Sequence, residues 1–269
     1  MIKFENVTKR YGKKEILHSI SLDIPKGKIV SIIGRSGCGK TTMLKMINRL
    51  IPITSGHILI NKKNILNMDP VDLRRNIGYV IQQTGLFPHM TVYKNLELVL
   101  ALHRYPKKER EERIDEIMEK MGLTPDLLNH YPIELSGGQQ QRIGVARALI
   151  TDPEVILMDE PFSALDYQQR LLLADEVHSI IKRGGYTAVL VTHDISEAIC
   201  MSDRVIILSE RPARIRKQVE INMGSDTPLE RRSNPLFREY YDAVWSEFRL
   251  AGERQQLMPT ENANTQKGV

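Results

Sequence analysis

The chain has 269 residues, 41% hydrophobic and 26% charged, the proportions of an ordinary soluble globular protein with room for one large domain or two small ones. A formal net charge of +5 fits either a solvated basic surface or attraction to anionic lipid or nucleic acid, but aromatics at 6%, with no basic stretch interleaved among them, give little support to a base-stacking surface. Two cysteines, Cys38 and Cys200, lack CxxC spacing, which argues against a zinc site or redox pair, and apolar runs such as Val155–Met158 are far short of the ~20 residues of a membrane span.

The opening stretch MIKFENVTKRYGKKEIL has no apolar core followed by a small-residue cleavage site, so no signal peptide is expected. The run Lys28–Ile33 reads as a strand buried on both faces. Gly34-Arg-Ser-Gly-Cys-Gly-Lys40-Thr41 follows it and precedes a helical pattern, Thr41–Leu50, the strand–loop–helix context that the GxxxxGK[ST] phosphate loop requires. Gly34, Gly37 and Gly39 let the backbone turn its N–H groups inward, where they and the helix start can bind phosphate oxygens. Lys40 is expected at the β- and γ-phosphates and Thr41 at Mg²⁺. Cys38 lies inside this loop, so bulk attached to its thiol is expected to obstruct the phosphates. The alternative is a glycine-rich turn with an accidental lysine.

Further strands are expected over His57–Asn61, Ile77–Gln82, Val155–Met158, Thr187–Thr192 and Arg204–Ser209. Helical segments alternate with them, which predicts an α/β fold on a mainly parallel sheet. Asp69-Pro70-Val71-Asp72 reads as an N-cap, a proline at the first helical position and an acid in the first turn. From about Gly85 to Ile150 no buried-strand run occurs, and this stretch is read as a helical insertion. Within it Lys107–Met121 places Ile114, Ile117, Met118 and Met121 on one face, with Gly122 as C-cap. Val155-Ile-Leu-Met-Asp159-Glu160 is a buried strand ending in two acids at the end where open α/β sheets bind ligands. Asp159 is expected at Mg²⁺ and Glu160 at the attacking water, unless the acids merely open a helix. After Ile221 the pattern changes. Asn234–Leu250 reads as a helix, and from about Gly252 the chain is polar, aperiodic and expected to be disordered.

Leu135-Ser136-Gly137-Gly138-Gln139, followed by Gln140, Gln141, Arg142 and an amphipathic helix through Ile150, resembles the signature of the ATP-binding cassette (ABC) transporter ATPases. The resemblance covers roughly Met1 to Ile221. It implies a P-loop NTPase core with an N-terminal antiparallel β region and a helical signature subdomain. The expected boundaries are 1–230 for the nucleotide-binding domain, about 85–150 for its helical part, 231–251 for a helical extension and 252–269 for a tail. It further implies an ATPase that binds ATP and Mg²⁺ through Gly34, Arg35, Ser36, Gly37, Cys38, Gly39, Lys40, Thr41 and Thr42. Ser136, Gly137, Gly138 and Gln139 would cap the γ-phosphate bound by a second copy of the chain, through the serine hydroxyl and backbone N–H groups at a helix start.

The same resemblance assigns Tyr11 to adenine stacking, although a lone tyrosine before a glycine is often a turn residue. Gln82 would sense the metal and the attacking water, and His193 would contact the γ-phosphate. Ser163-Ala164-Leu165-Asp166 would cross the dimer interface; read locally, it is a helix start with Ser163 as cap and Asp166 at the third helical position. Thr84–Val92 would receive a short helix of the membrane partner, with Leu86, Phe87 and Met90 as contacts, or else these three pack within the insertion. Val80-Ile-Gln-Gln and Gly85-Leu-Phe-Pro-His-Met resemble osmoprotectant (quaternary amine) importer subunits. Ser209-Glu-Arg-Pro-Ala-Arg-Ile and Arg231-Arg-Ser-Asn-Pro-Leu-Phe resemble nitrate, sulfonate and taurine importer subunits, and no long C-terminal regulatory domain is expected. The implied function is energising solute import from the cytoplasmic face of the membrane, with transmembrane permease subunits and an extracytoplasmic solute-binding protein as partners and no nucleic acid. The alternatives are a lipid or drug exporter subunit, or a soluble cassette ATPase acting on ribosomes or DNA.

Overall fold

A computed structural model describes residues 1–224 and 226–253. Two sheets divide the strands. β1 (Ile2–Tyr11), β2 (Lys14–Ile24), β4 (Ser55–Ile60) and the short β5 (Lys63–Asn64) form an antiparallel sheet in the order β2-β1-β4-β5. β3 (Ile29–Ile33), β6 (Ile77–Val80), β7 (Val155–Asp159), β8 (Thr187–Val191), β9 (Arg204–Leu208) and β10 (Ile215–Glu220) form the second, in the order β10-β9-β3-β8-β7-β6. It is parallel except for β10, which pairs antiparallel with β9.

β3, β7 and β8 are buried at every position, as continuous apolar runs require when both faces are covered. The run expected as one more such strand at His57–Asn61 is instead β4 of the antiparallel sheet. Its side chains alternate, with Ile58 and Ile60 buried and His57 exposed, because only one face of that sheet meets the core. The strand expected over Ile77–Gln82 stops at Val80, so Gln82 stands on the loop beyond it.

The helices lie where the caps direct them. α1 (Lys40–Ile47) follows the glycine loop. α2 (Pro70–Arg75) starts at Asp69, whose carboxylate accepts from the Val71 and Asp72 N–H groups. α3 (Val92–Leu102), α4 (Lys107–Lys120) and α5 (Gly137–Leu149) make the insertion. α4 closes with Met121 as its cap and Gly122 beyond it at a φ of 60°. α6 (Tyr167–Gly184) and α7 (Ile195–Met201) flank the parallel sheet, and α8 (Pro228–Ser233) and α9 (Leu236–Glu253) complete the described chain. The tail expected beyond α9 lies outside the described residues.

Three apolar clusters hold these layers. One joins the insertion helices and α6 to one face of the parallel sheet. A second fills the space between the antiparallel sheet, α1 and the other face. A third lies under α7 and α9. The carboxyl ends of β3, β6, β7 and β8 all open on the same edge, and every phosphate-loop, acid and histidine position predicted from sequence follows one of those ends.

Candidate functional site

The loop from Gly34 to Gly39 curls around one ammonium group. Lys40 Nζ donates to the Gly34 carbonyl at 2.7 Å and the Arg35 carbonyl at 3.2 Å, and is nearly buried. Gly37 and Gly39 have φ values of 77° and 125°, a region that a side chain penalises. Gly39 is also constrained by space, since a methyl there would lie 2.8 Å from Leu17 Cδ2 of β2. Thr41, in the first turn of α1, donates its hydroxyl to Asp159 Oδ1 at 2.8 Å, which joins the loop to the end of β7. Burial pushes the Asp159 carboxyl above its ordinary value; the Thr41 hydrogen bond opposes this, and the neighbouring Glu160 charge adds to it.

Glu160 has a φ of 48°, unusual for a residue with a side chain. Its backbone is held there on both sides. Its N–H donates to the Val191 carbonyl at 2.8 Å, and its carbonyl accepts from the Ser163 hydroxyl at 3.0 Å. The side chain is thereby aimed out of the sheet edge. Gln82 Nε2 donates to Glu160 Oε2 at 3.1 Å, and His193 Nδ1 lies 3.3 Å from the same oxygen. Gln82, Glu160 and His193 therefore form one cluster, from the ends of three different strands. With Ser36, Gly37, Gly39, Lys40, Thr41 and Thr42 they line a cavity of about 460 Å³. Arg35 and Cys38 do not line it. Arg35 borders the adjoining pocket and is paired to Glu210 at 3.0 Å.

Two local expectations need correction. The Cys38 side chain is buried in the core behind the loop, against Gly34, and burial raises its thiol pKa. Bulk at that sulfur would disturb the packing under the loop and not project into the cavity. Its N–H donates to the Arg35 carbonyl at 3.1 Å. The second correction concerns Asp166, which is itself the N-cap of α6, accepting from Gln169 N at 2.9 Å. Ser163 is not that cap; its hydroxyl holds the Glu160 carbonyl, so the helix starts one turn later than the local pattern suggests.

Ser136 caps α5. Its oxygen accepts from Gln139 N at 3.2 Å, while Gln139 Oε1 accepts from Ser136 N at 2.9 Å, a reciprocal box that fixes the loop. The hydroxyl proton of Ser136 and the N–H groups of Gly137 and Gly138 stay available as donors. A methyl on Gly137 would meet open space, whereas one on Gly138 would strike Gln169 Oε1 at 2.7 Å. None of Ser136–Gln139 lines the cavity around Lys40. Tyr11 also stands apart from it, at the β1–β2 hairpin, 49% exposed and with Lys9 Nζ 4.5 Å from its ring centre.

Two features escaped sequence reasoning. Arg211, on the loop between β9 and β10, lines the same cavity as Lys40 and Glu160. The segment after Gln82 is stapled by Asn95, fully buried, which accepts from Phe87 N and donates to the carbonyls of Phe87, Met90 and Thr91. Arg147 of α5 adds bonds to the carbonyls of Thr84 and Gly85, so Phe87 is presented outward, 41% exposed, while Leu86 packs partly into the insertion core. No local signal marks Arg211 or the Arg147 bonds, since those partners come from distant parts of the chain.

Residues 17–163 match the ABC transporter family profile. The chain is 54% identical over 209 residues to the glycine betaine/carnitine/choline transport ATP-binding protein of Bacillus subtilis (strain 168), covering 77% of this chain and 55% of that protein, so it spans about half of that relative's length. It is 41% identical over 242 residues to the glycine betaine uptake system ATP-binding protein of Escherichia coli (strain K12), covering 90% of this chain and 76% of that one. A dimeric ATP-binding cassette solved in a post-hydrolysis state with ADP and Pi matches the fold with a TM-score of 0.73 at 34% identity, over 83% of this chain and 100% of that one.

Proposed function

The chain belongs to the ABC transporter family, and we propose that within it this protein is the ATP-binding and hydrolysing subunit of a solute importer. The observation that carries the proposal is the convergence of Lys40, Thr41, Gln82, Glu160 and His193 on one cavity at the carboxyl edge of the parallel sheet. ATP lies with its phosphates over the glycine loop, bound by the inward N–H groups, the start of α1 and Lys40. The donor set fits Mg²⁺. Thr41 and Asp159 present a hydroxyl and a carboxylate 2.8 Å apart, and Gln82 stands nearby. A hard ion held by Thr41 and Asp159 would complete its shell with phosphate oxygens and water. When bound, the ion neutralises charge on the phosphate oxygens.

Glu160 orients and polarises a water for attack on the γ-phosphate, with Gln82 and His193 fixing its carboxylate. The box at Ser136 is a second anion site with nothing to bind in its own cavity, which supports its use against the nucleotide of a second copy. Two copies then enclose two ATP molecules, ATP holding the closed form and hydrolysis releasing it. Closure is passed to permease subunits through the stapled segment around Phe87, at the cytoplasmic face of the membrane, with an extracytoplasmic solute-binding protein delivering the solute. No helix among the described residues is long and apolar enough to cross a membrane. The names of the relatives above make quaternary amines such as glycine betaine the solutes to test first.

Glu160→Gln tests the mechanism. The amide keeps the size and the hydrogen-bonding reach but removes the charge, so hydrolysis should fall by roughly a hundredfold or more. ATP binding should persist and the protein should form a dimer in MgATP and a monomer in ADP, read by size-exclusion chromatography with light scattering. Turnover at the wild-type rate would remove Glu160 from catalysis; loss of turnover without any ATP-dependent dimer would remove the sandwich.

A further inference from the structure

The loop between β9 and β10 is built against the phosphate loop from two sides. At its far end Ala213 joins β2, its N–H donating to the Ile16 carbonyl at 2.8 Å and its carbonyl accepting from His18 N at 2.9 Å. Ser209 closes the loop on itself, its hydroxyl accepting from Arg214 N at 3.0 Å. Glu210 ties the near end to Arg35 of the phosphate loop at 3.0 Å. Between these anchors stands Arg211. A methyl built on Gly37 would lie 3.6 Å from Arg211 Nη2, so the guanidinium lies against the glycine turn itself. Its positive charge reaches Cys38 inside the loop, where it opposes the effect of burial on the thiol.

Among the described residues the Arg211 guanidinium has no hydrogen bond or ion pair, whereas neighbouring Arg35 is neutralised by Glu210. A pinned loop thus holds an uncompensated planar cation in the lining of a cavity shared with Gly37, Lys40, Gln82, Glu160 and His193. A guanidinium offers a fork of donors matched to phosphate oxygens, which makes a terminal phosphate the ligand that suits this position. We propose that Arg211 is a ligand of the nucleotide's terminal phosphate, an arginine supplied by the same chain that holds the nucleotide, with Glu210 and Ala213 as the residues that position it. The proposal rests on the nucleotide-site reading above and adds a residue to it. Its consequence is discrimination: Arg211 favours ATP over ADP before any dimer forms.

The test is equilibrium binding of MgATP and MgADP to wild type, Arg211→Gln and Arg211→Lys, at concentrations where light scattering reports monomer. Arg211→Gln should lose about tenfold or more in ATP affinity, the loss expected for a charge-assisted hydrogen bond, and less than about threefold for ADP. Arg211→Lys should recover part of the ATP affinity. Thermal unfolding without nucleotide should be unchanged. Unaltered ATP affinity in both variants, or equal losses for ATP and ADP, overturns the assignment. So does a defect confined to dimer formation, which would make Arg211 an interface residue. Wild type that binds neither nucleotide is a different failure, and brings down the nucleotide site together with this extension of it.

Discussion

Glu197 illustrates how a single buried acid couples the stability of the fold to pH. It lies in the first turn of α7, just past His193, almost fully buried, with one carboxyl oxygen lacking a hydrogen-bond partner. Burial is the main cause that carries its carboxyl from the ordinary 4.5 up to about 8. A hydrogen bond with Thr192 and the Arg170 charge oppose the rise, and Asp194 and Glu160 reinforce it. The folded chain therefore keeps a proton that the unfolded chain releases near 4.5, and between 4.5 and about 8 the native state binds more protons. Stability falls as pH rises through that window and levels off above it. Glu197→Gln should flatten the profile, with the variant more stable than wild type above about pH 8 and the difference shrinking toward 4.5. Urea unfolding across this range reads it directly; parallel wild-type and variant profiles would mean that Glu197 is ionised in the fold.

At the scale of elements, α5 has two duties at opposite ends. Its start carries the Ser136–Gln139 box, and its body holds the β6–α3 connection through Arg147 and donates Gln141 Nε2 to the Pro161 carbonyl. In the proposed dimer a side chain placed at the start of α5 would therefore act on the second copy, without touching the cavity of its own chain. Ser136→Arg should leave ATP affinity of the monomer within about twofold, because Lys40 and the glycine loop are untouched, while closure and hydrolysis are lost. The capping bond also goes, at a cost of ~1 kcal/mol in stability. Affinity and turnover measured on one sample separate the cases. ATP affinity that falls in step with activity points to a role within one chain and against the sandwich.

For the molecule as a whole, the proposed catalytic edge and the exposed Phe87 surface are joined by a short path. Gln82 touches Glu160, and a few residues later Phe87 stands at the surface, its backbone pinned by buried Asn95. In the proposed mechanism a displacement at the nucleotide would be passed to Phe87 through a segment with little freedom to absorb it. Phe87→Asp should leave basal hydrolysis of the isolated subunit near wild type and abolish coupled uptake, since the new charge would be desolvated in an apolar contact. Uptake of a quaternary amine in cells carrying the cognate permease checks this, and normal transport by the variant takes the segment out of the interface. The far end of the molecule is anchored differently. Arg231 of α8, nearly buried, donates to the carbonyls of Cys200 at 3.0 Å and Ser202 at 2.9 Å, closing the end of α7. Arg231, where the helical extension was expected to begin, is thus bonded into the body of the domain.

Local chemistry was legible in the sequence wherever a few neighbouring residues state a constraint by themselves. The glycine loop before α1, the apolar run ending in Asp159 and Glu160, and the helix start after Ser136 each declare a backbone conformation or a buried acid, and each stands in the structure where its pattern put it. The α/β alternation was legible for the same reason, since strands covered on both faces are apolar at every position. What depends on partners far along the chain was not. The pairing of His57–Ile60 with β1, the inward turn of Cys38, the start of α6 at Asp166 and the burial of Arg231 each answer to groups brought close only by folding. Arg211 is the plainest instance. In the sequence it is one arginine before a proline, and it comes to line the same cavity as Lys40 because Ala213 pairs with β2 and Glu210 pairs with Arg35, contacts that exist only once the chain has folded.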